Sequence, residues 1–187
     1  MRQNPEILED VQMESLNTLR VSARARFFVE VESAAELAWS LEWAAKGPHK
    51  TLILGGGSNL VFAGDFRGLV VRMAIRGRSW ERVVDHRATL VLGAGENWHE
   101  TVLYAARAGY RGIENLALIP GTAGAAPVQN IGAYGVELRD CLESVTALDC
   151  ATGELVTLSN AECRFAYRDS LFRHTPGRFV ITEIRLG

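Results

Sequence analysis

The sequence predicts an α+β fold in which strands outnumber helices. Several short segments are apolar, or alternate between apolar and polar residues, and are bounded by glycine, proline and other turn residues, which is typical of strands. Two longer segments, which begin near Ser33 and Asn97, combine a capping residue with helical sequence, and the first has apolar residues on one face. Together these observations indicate a mixed α+β chain.

Charge and composition argue against several classes of protein. The 187 residues carry a formal net charge of −2 and no basic run, which argues against a nucleic-acid surface. No apolar run approaches the roughly 20 residues of a membrane helix, and the acidic start lacks a signal-peptide core, so we expect a cytoplasmic chain without a membrane partner. The three cysteines lack a CxxC pair and the four histidines lack metal-ligand spacing, so we expect free thiols and no metal.

The first third of the chain predicts a tail, a strand, a helix and a second strand. Residues 1–16 are acidic and polar and are expected to form a solvated tail or a short arm, and residues 17–31 favour a strand. A capping box at Ser33 begins a helix that ends near Gly47. Residues 51–54 (TLIL) then form a short buried strand.

A glycine loop directly follows that strand. Its residues are Gly55, Gly56, Gly57, Ser58 and Asn59. The following residues look extended rather than helical, so the loop is not the dinucleotide fingerprint, and it also lacks the P-loop lysine. It either offers backbone and side-chain donors to an anion or forms a plain β-turn. We favour the anion site, because a turn rarely needs three glycines.

Further along the chain, a strand, a Gly-Ala-Gly sequence and a helix follow one another and resemble a nucleotide-binding turn. Residues 82–92 predict a hairpin that leads into the sequence GAGENW and then a helix. Trp98 stands where the third glycine of the fingerprint would let helix and strand approach closely. We therefore predict a helix capped by Asn97 with the Trp98 side chain packed.

The segment 116–135 (LALIPGTAGAAPVQNIGAYG) is the one around which we expect the chain to be organised. Its small residues bury too little area for a core, and its two prolines forbid a regular helix. A disordered linker would carry more charge. An ordered loop remains, with Gln129 and Asn130 at its centre, and it either forms an anion-binding nest or packs tightly between sheets.

The last third predicts a hairpin over residues 144–158 and a final strand over 179–186. Between them lies CRFAYRDSLF, residues 163–172. Its Arg168 is either half of a surface pair with Asp169 or a guanidinium that holds a substrate carboxylate with two hydrogen bonds.

Four segments together resemble the UDP-N-acetylenolpyruvoylglucosamine reductases, the bacterial MurB flavoenzymes. These segments are LILGGGSNLVF, VLGAGENWHETV, GIENLALIPGTAGAAPVQNIGAYGVEL and ECRFAYRDSLF. They occur in the family's order, and the proline and glutamine before NIGAYG are similar to its type I form. The resemblance implies a two-lobed FAD-binding domain of the vanillyl-alcohol oxidase (PCMH) type over residues 17–187, with lobes of about 17–75 and 76–187.

The resemblance also implies roles for individual residues. In the first loop, Gly55, Gly56, Gly57, Ser58 and Asn59 would bind FAD. In the second, the matching residues are Pro120, Gly121, Thr122, Gly124, Ala125, Gln129, Asn130, Gly132, Ala133 and Tyr134. Tyr167 and Arg168 match the YRDS motif, whose arginine is an active-site residue of the family.

The activity that the resemblance implies is an oxidoreduction in peptidoglycan synthesis. The family uses NADPH to reduce FAD, and reduced FAD delivers hydride to UDP-N-acetylglucosamine enolpyruvate, giving UDP-N-acetylmuramate. Family members continue into a substrate domain with a serine proton donor and a glutamate, which no motif here replaces. We therefore expect the FAD-binding part of a monomeric reductase, inactive by itself.

Two other functions stay open. One is a flavin-binding module without turnover, and the other is a different PCMH-type oxidase. Such oxidases often hold FAD covalently through histidine or cysteine, and neither residue lies in the two glycine loops, which counts against an oxidase.

Overall fold

The computed structural model describes residues 4–187, and the chain divides after Ile75 into two units, each with its own sheet. The second unit is Arg76–Gly187. Helices and strands are mixed as the α+β prediction requires. No helix in the described residues is long and apolar enough to cross a membrane.

In its described residues, 4–75, the first unit contains one helix and four strands. They are β1 Leu8–Gln12, β2 Arg24–Val31, α1 Ala34–Ala45, β3 Thr51–Leu54 and β4 Phe66–Met73. The sheet has the order β1-β2-β4-β3, in which β2, β4 and β3 are parallel and β1 is antiparallel to β2. The first glycine loop, residues 55–59, begins directly after the last residue of β3, where β3 lies beside the parallel strand β4.

The N-terminal segment differs from the predicted solvated tail or arm. Residues 1–3 lie outside the described part, but β1 pairs with β2, and Val11 lies opposite Ala25. The acidic residues that made the segment look solvated lie on its exposed positions, where Glu9 and Asp10 form ion pairs with Arg26. The backbone groups of β1 are satisfied by the ladder, which local polarity does not reveal.

The predicted helix α1 is confirmed with a small shift in its cap. The Ser33 hydroxyl oxygen accepts a hydrogen bond from the Glu36 N–H at 3.2 Å. The Glu36 carboxylate accepts from the Glu32 N–H at 2.7 Å, one residue earlier than a capping box requires. Trp43 of this helix stacks on His49 at a centroid distance of 5.3 Å, so it is a packing residue.

The second unit contains two helices and seven strands. They are β5 Arg78–Val84, β6 Arg87–Gly93, α2 Trp98–Arg107, β7 Gly132–Ala133, β8 Val136–Glu137, β9 Leu142–Asp149, β10 Glu154–Ser159, α3 Leu171–His174 and β11 Phe179–Leu186. Five strands form an antiparallel sheet with the order β10-β9-β11-β6-β5, and β7 and β8 form a separate hairpin. The predicted hairpins over 82–92 and 144–158 and the predicted last strand are confirmed.

The core of the second unit follows from the register of its sheet. Ile184 lies opposite Leu92 on one side and Val145 on the other, and all three side chains are fully buried. Alternation along each strand places such residues on one face, where they exclude water. This sheet carries the GAGENW connection between β6 and α2. The segment 116–135, called the second glycine loop below, lies against that connection.

Candidate functional site

The first glycine loop lies at the carboxyl end of β3. In sheets with parallel strands, ligands commonly bind outside these ends. Gly56 and Asn59 are exposed, and Gly55 and Ser58 are half-buried. Across residues 4–187, the side chains of Ser58 and Asn59 form no hydrogen bond with another residue. These polar groups are therefore free to bind an anion.

Gly57 is different, because it is buried against the chain itself. Its φ is +66°, and a Cβ there would lie 2.1 Å from the Leu16 carbonyl oxygen. The Gly57 carbonyl also accepts a hydrogen bond from the Thr18 N–H at 3.0 Å. Glycine at this position is thus required by packing within the first unit, whatever the loop binds.

Asn17, a buried residue that the sequence analysis did not single out, holds together the segment that supports this loop. The Asn17 side-chain amide donates to the carbonyl oxygens of Met13 and Val21, at 2.9 and 3.0 Å, and its oxygen accepts from the Val21 N–H at 2.9 Å. Asn17 thereby closes the segment against which Gly57 packs. A lone asparagine in an irregular segment gives no sequence signal for such a role.

The second glycine loop lies against the GAGENW connection between β6 and α2. The N–H groups of Ala123 and Gly124 donate to the carbonyl oxygens of Glu96 and Ala94, at 2.8 and 2.9 Å. A Cβ at Gly124 would lie 2.5 Å from the Ala94 Cβ. The small residues of both segments therefore allow two backbones to approach closely, and GAGENW supports the loop.

Trp98 and Asn97 behave as predicted at the start of α2. The Asn97 side-chain oxygen accepts from the Glu100 N–H at 3.0 Å, which caps the helix. Trp98 is buried, and its indole N–H donates to the Leu116 carbonyl oxygen at 2.9 Å. Its backbone N–H donates to the Gly121 carbonyl oxygen at 3.1 Å. Trp98 thus holds the first part of the second loop.

The GAGENW connection is itself held by a buried carboxylate. Glu96 accepts a hydrogen bond from the Gly77 N–H at 2.9 Å and one from the Arg78 Nε–H at 2.7 Å. Its side chain is almost fully buried, so the pairing with Arg78 compensates for the lost hydration of the charge. Sequence reasoning missed this residue, because its partners lie 18 and 19 positions earlier in the chain.

The predicted cofactor residues of the second loop differ in their exposure. Pro120, Ala125 and Tyr134 are exposed, Asn130 is buried, and the half-buried members are Gly121, Thr122, Gly124, Gln129, Gly132 and Ala133. A 3₁₀ turn, Ala126–Gln129, lies at the centre of the loop and is followed by the β7–β8 hairpin. No acidic residue lies between Pro120 and Gly135, so the loop presents neutral backbone to its surroundings.

Arg168 lies at the tip of a tight turn and is attached to the second loop. Ala166 and Asp169 exchange two backbone hydrogen bonds of 3.1 Å, which places Tyr167 and Arg168 between them. The side chain of Arg168 is exposed, and its Nη2–H donates to the Gly132 carbonyl oxygen at 2.7 Å. Tyr167 is 81% exposed, and its ring centroid lies 5.8 Å from the Arg168 Cζ.

The alternative surface pair of Arg168 with Asp169 does not form. Asp169 instead accepts a hydrogen bond from His174 at 2.6 Å, which lowers the pKa of its carboxyl group. The Arg168 guanidinium forms no ion pair with any carboxylate in residues 4–187. Its positive charge is therefore available to an anionic ligand.

Two further hydrogen bonds join the turn to the loop. The buried hydroxyl of Ser170 donates to the Val128 carbonyl oxygen at 2.6 Å, and the Asn130 side-chain amide donates to the Ala166 carbonyl oxygen at 3.0 Å. The second unit thus brings its predicted cofactor loop and its predicted catalytic turn into one connected structure.

Four of the ten non-glycine residues with a left-handed backbone in residues 4–187 lie in the second loop or in the turn of Arg168: Leu118 (φ +62°), Asn130 (+46°), Tyr134 (+53°) and Arg168 (+53°). Each such residue costs of order 1–3 kcal/mol and persists only where the surroundings fix it, which is frequent at binding and active sites.

The fold and these loops define a class of flavoprotein. A family model described as FAD binding domain matches residues 25–159, and the chain belongs to this FAD-binding family. The chain is 46% identical over 182 residues to the UDP-N-acetylenolpyruvoylglucosamine reductase of Pseudomonas fluorescens, covering 97% of this chain and 54% of that protein. It is 47% identical to the protein of the same name from Chromobacterium violaceum, covering 94% and 52%.

Solved structures agree with this assignment. The UDP-N-acetylenolpyruvylglucosamine reductase (MurB) of Thermus caldophilus superimposes with a TM-score of 0.75 at 28% identity, covering 98% of this chain and 62% of that one. The 6-hydroxy-D-nicotine oxidase of Arthrobacter nicotinovorans shares the fold alone, with a TM-score of 0.70 at 19% identity over 97% and 41%. The predicted fold and the predicted resemblance are confirmed, and the chain spans about half the length of the curated relatives it matches.

Proposed function

We propose that this chain is the FAD-binding part of an NADPH-dependent reductase that converts UDP-N-acetylglucosamine enolpyruvate to UDP-N-acetylmuramate. The observation that carries the proposal is the 46% identity, over almost the whole chain, with a protein named as that reductase. The attachment of Arg168 to the second glycine loop supports it independently, because it brings a cation to a neutral backbone loop.

The two loops suit the pyrophosphate and the ring system of FAD. The first loop offers the free polar groups of Ser58 and Asn59 and the exposed backbone of Gly56. Backbone N–H groups in such turns form concave sites for anions. In the second loop we assign contacts with the cofactor to the exposed and half-buried residues Pro120, Gly121, Thr122, Gly124, Ala125, Gln129, Gly132, Ala133 and Tyr134.

We assign the substrate carboxylate to Arg168. A guanidinium offers two parallel N–H donors to a carboxylate, and its charge stabilises negative charge that develops during hydride addition. The bound flavin supplies the hydride chemistry. The hydrogen bond to Gly132 and the turn between Ala166 and Asp169 hold the guanidinium in place, and Tyr167 covers one side of it.

The test is a titration of the 187-residue chain with FAD, followed by absorption and fluorescence. We expect a stoichiometric complex whose flavin separates from the chain on denaturation, since neither loop contains a histidine or cysteine for a covalent bond. NADPH under anaerobic conditions should bleach the oxidised flavin band, and UDP-N-acetylglucosamine enolpyruvate should perturb the spectrum.

A pair of variants makes the test specific. Ser58→Ala combined with Asn59→Ala should weaken FAD binding, whereas Asn115→Ala should not. Asn115 is exposed and has no side-chain hydrogen bond in residues 4–187. No FAD binding by the wild-type chain, or equal affinity in the double variant, would contradict the assignment.

A further inference from the structure

We propose that Asn130 is a positioning residue that fixes the place of the Arg168 guanidinium, rather than a group that contacts FAD. The inference concerns the same site as the proposed function and rests on it for the role of Arg168. The inference depends on the hydrogen bonds of the buried side-chain amide of Asn130.

The hydrogen-bond donors of Asn130 are fully used within the chain. The residue is 0% exposed. Its Nδ2 donates to the Ala166 carbonyl oxygen at 3.0 Å and to the Glu137 carboxylate at 3.1 Å, and its Oδ1 accepts from the Arg139 N–H at 3.0 Å. An amide has two donor hydrogens, so no donor remains for a cofactor.

These contacts join the two segments that meet at Arg168. Ala166 begins the turn that has Arg168 at its tip, and Gly132, which accepts the guanidinium hydrogen bond, follows Asn130 by two positions. The turn segment is therefore held to the loop at three points: the Asn130 side chain at Ala166, the guanidinium at the tip, and the Ser170 hydroxyl at Val128 on the far side of the turn. Loss of the Asn130 contact frees the Ala166 end of the turn and lets the guanidinium move away from Gly132.

Both the backbone and the side chain restrict position 130 to asparagine. Its φ of +46° lies in the left-handed region, which asparagine, aspartate and glycine tolerate better than other residues. Glycine would lose all three side-chain hydrogen bonds. Aspartate would keep the acceptor for Arg139 but place a carboxylate oxygen against the Ala166 carbonyl and the Glu137 carboxylate.

The first measurement is amide hydrogen exchange on the chain without FAD. In Asn130→Gly, the Arg139 amide loses its acceptor and the Asp169 amide loses the support of its turn, so both should exchange about tenfold faster. In Asn130→Asp, the Asp169 amide should exchange faster and the Arg139 amide should stay protected. Asn115→Asp, which adds the same charge on the surface, should change neither. Unchanged protection of Asp169 in both Asn130 variants would overturn the inference.

The second measurement is the affinity of the FAD-loaded chain for UDP-N-acetylglucosamine enolpyruvate, followed by the change in the flavin spectrum, in wild type, Asn130→Gly, Arg168→Met and the double variant. A positioning role predicts that Asn130→Gly weakens this binding when Arg168 is present and has no further effect once Arg168 is absent. Losses that multiply independently would mean that Asn130 acts by another route and would overturn the inference. If the wild-type chain binds no FAD, the proposed function fails, and the exchange pattern alone decides whether Asn130 positions the turn.

Discussion

The guanidinium of Arg168 donates a hydrogen bond of 2.7 Å to the carbonyl oxygen of Gly132, 36 positions earlier in the chain. This bond connects the YRDS turn with the NIGAYG segment, two of the motifs that carry the family resemblance. It also explains why an exposed arginine has a defined position, since Gly132 fixes one end of its planar group.

Arg168→Lys should remove this arrangement while keeping the charge. An ammonium group lacks the planar fork and cannot bind both Gly132 and a carboxylate in the same geometry. Under the proposed function, we expect FAD to bind with nearly unchanged affinity, and the reduction of the enolpyruvyl substrate by a reductase that contains this chain to fall about 10²–10³-fold. Steady-state kinetics measures the loss. Arg164→Lys, on the same segment and without a side-chain partner in residues 4–187, is the matched control and should leave the rate unchanged.

Gly57→Ala should destabilise the first unit even without FAD. The left-handed backbone costs about 1–3 kcal/mol for a non-glycine residue, and the new Cβ would lie 2.1 Å from the Leu16 carbonyl oxygen. Urea unfolding of the chain without FAD measures the change. Gly64→Ala should alter stability by less than about 0.5 kcal/mol, because nothing lies within 4 Å of its Cβ. Equal stability of both variants would show that Gly57 is not a packing position.

Gly124→Ala should weaken the second loop through contact with Ala94. The added Cβ would lie 2.5 Å from the Ala94 Cβ, so the two backbones must separate and lose hydrogen bonds. Ala94→Gly in the same chain removes that partner atom and should restore part of the stability and of the FAD affinity. Thermal unfolding and FAD titration of the two single variants and the double variant measure this coupling, and purely additive effects would argue against the contact.

Trp98→Phe should cost about 1–3 kcal/mol, because the buried Leu116 carbonyl oxygen loses its donor. The smaller ring also leaves space in the core. Trp80→Phe in the same unit is the control, since Trp80 is half-buried and packs against Tyr104 and Tyr110 without a side-chain hydrogen bond in residues 4–187. Urea unfolding should show a smaller change for Trp80→Phe. The reverse order of the two effects would contradict the role given to the indole N–H.

The three cysteines should differ in their reaction with iodoacetamide at pH 8. Burial raises the pKa of Cys141 and of Cys163 to about 12, whereas Cys150 is exposed and its pKa is raised less strongly. Thiolate is the reacting form, so Cys150 should be labelled first and the other two only after unfolding. Mass spectrometry of labelled peptides decides the order.

The same shifts predict how stability depends on alkaline pH. The pKa values of Cys141 and Cys163 are raised in the folded chain above the ordinary value of 9.0, so unfolding releases protons at high pH. The contribution of the two thiols to stability is present below pH 9 and should be lost as the pH rises toward about 12. Replacing both cysteines with alanine should flatten that part of the pH profile of urea unfolding.

The elements of this fold could be predicted where the signal is local. The cap at Ser33, the cap at Asn97 and the alternation over Phe179–Leu186 each involve neighbours within a few residues. The N-terminal strand could not be predicted in the same way. Its partner Arg24–Val31 supplies the hydrogen bonds, and four of the five residues of β1, including all its polar ones, are exposed.

The sequence by itself determined which family the chain resembles and which segments are candidates for its site, because small residues, prolines and the YRDS motif stand in a specific order. It could not distinguish the glycines that leave room for a ligand from those that leave room for the chain. Only the tertiary structure decided that Gly57 packs on Leu16, that Gly124 packs on Ala94 and that Asn130 bonds within the chain. A missing Cβ creates the same space in every case, and the group that fills it is set by non-local backbone contacts.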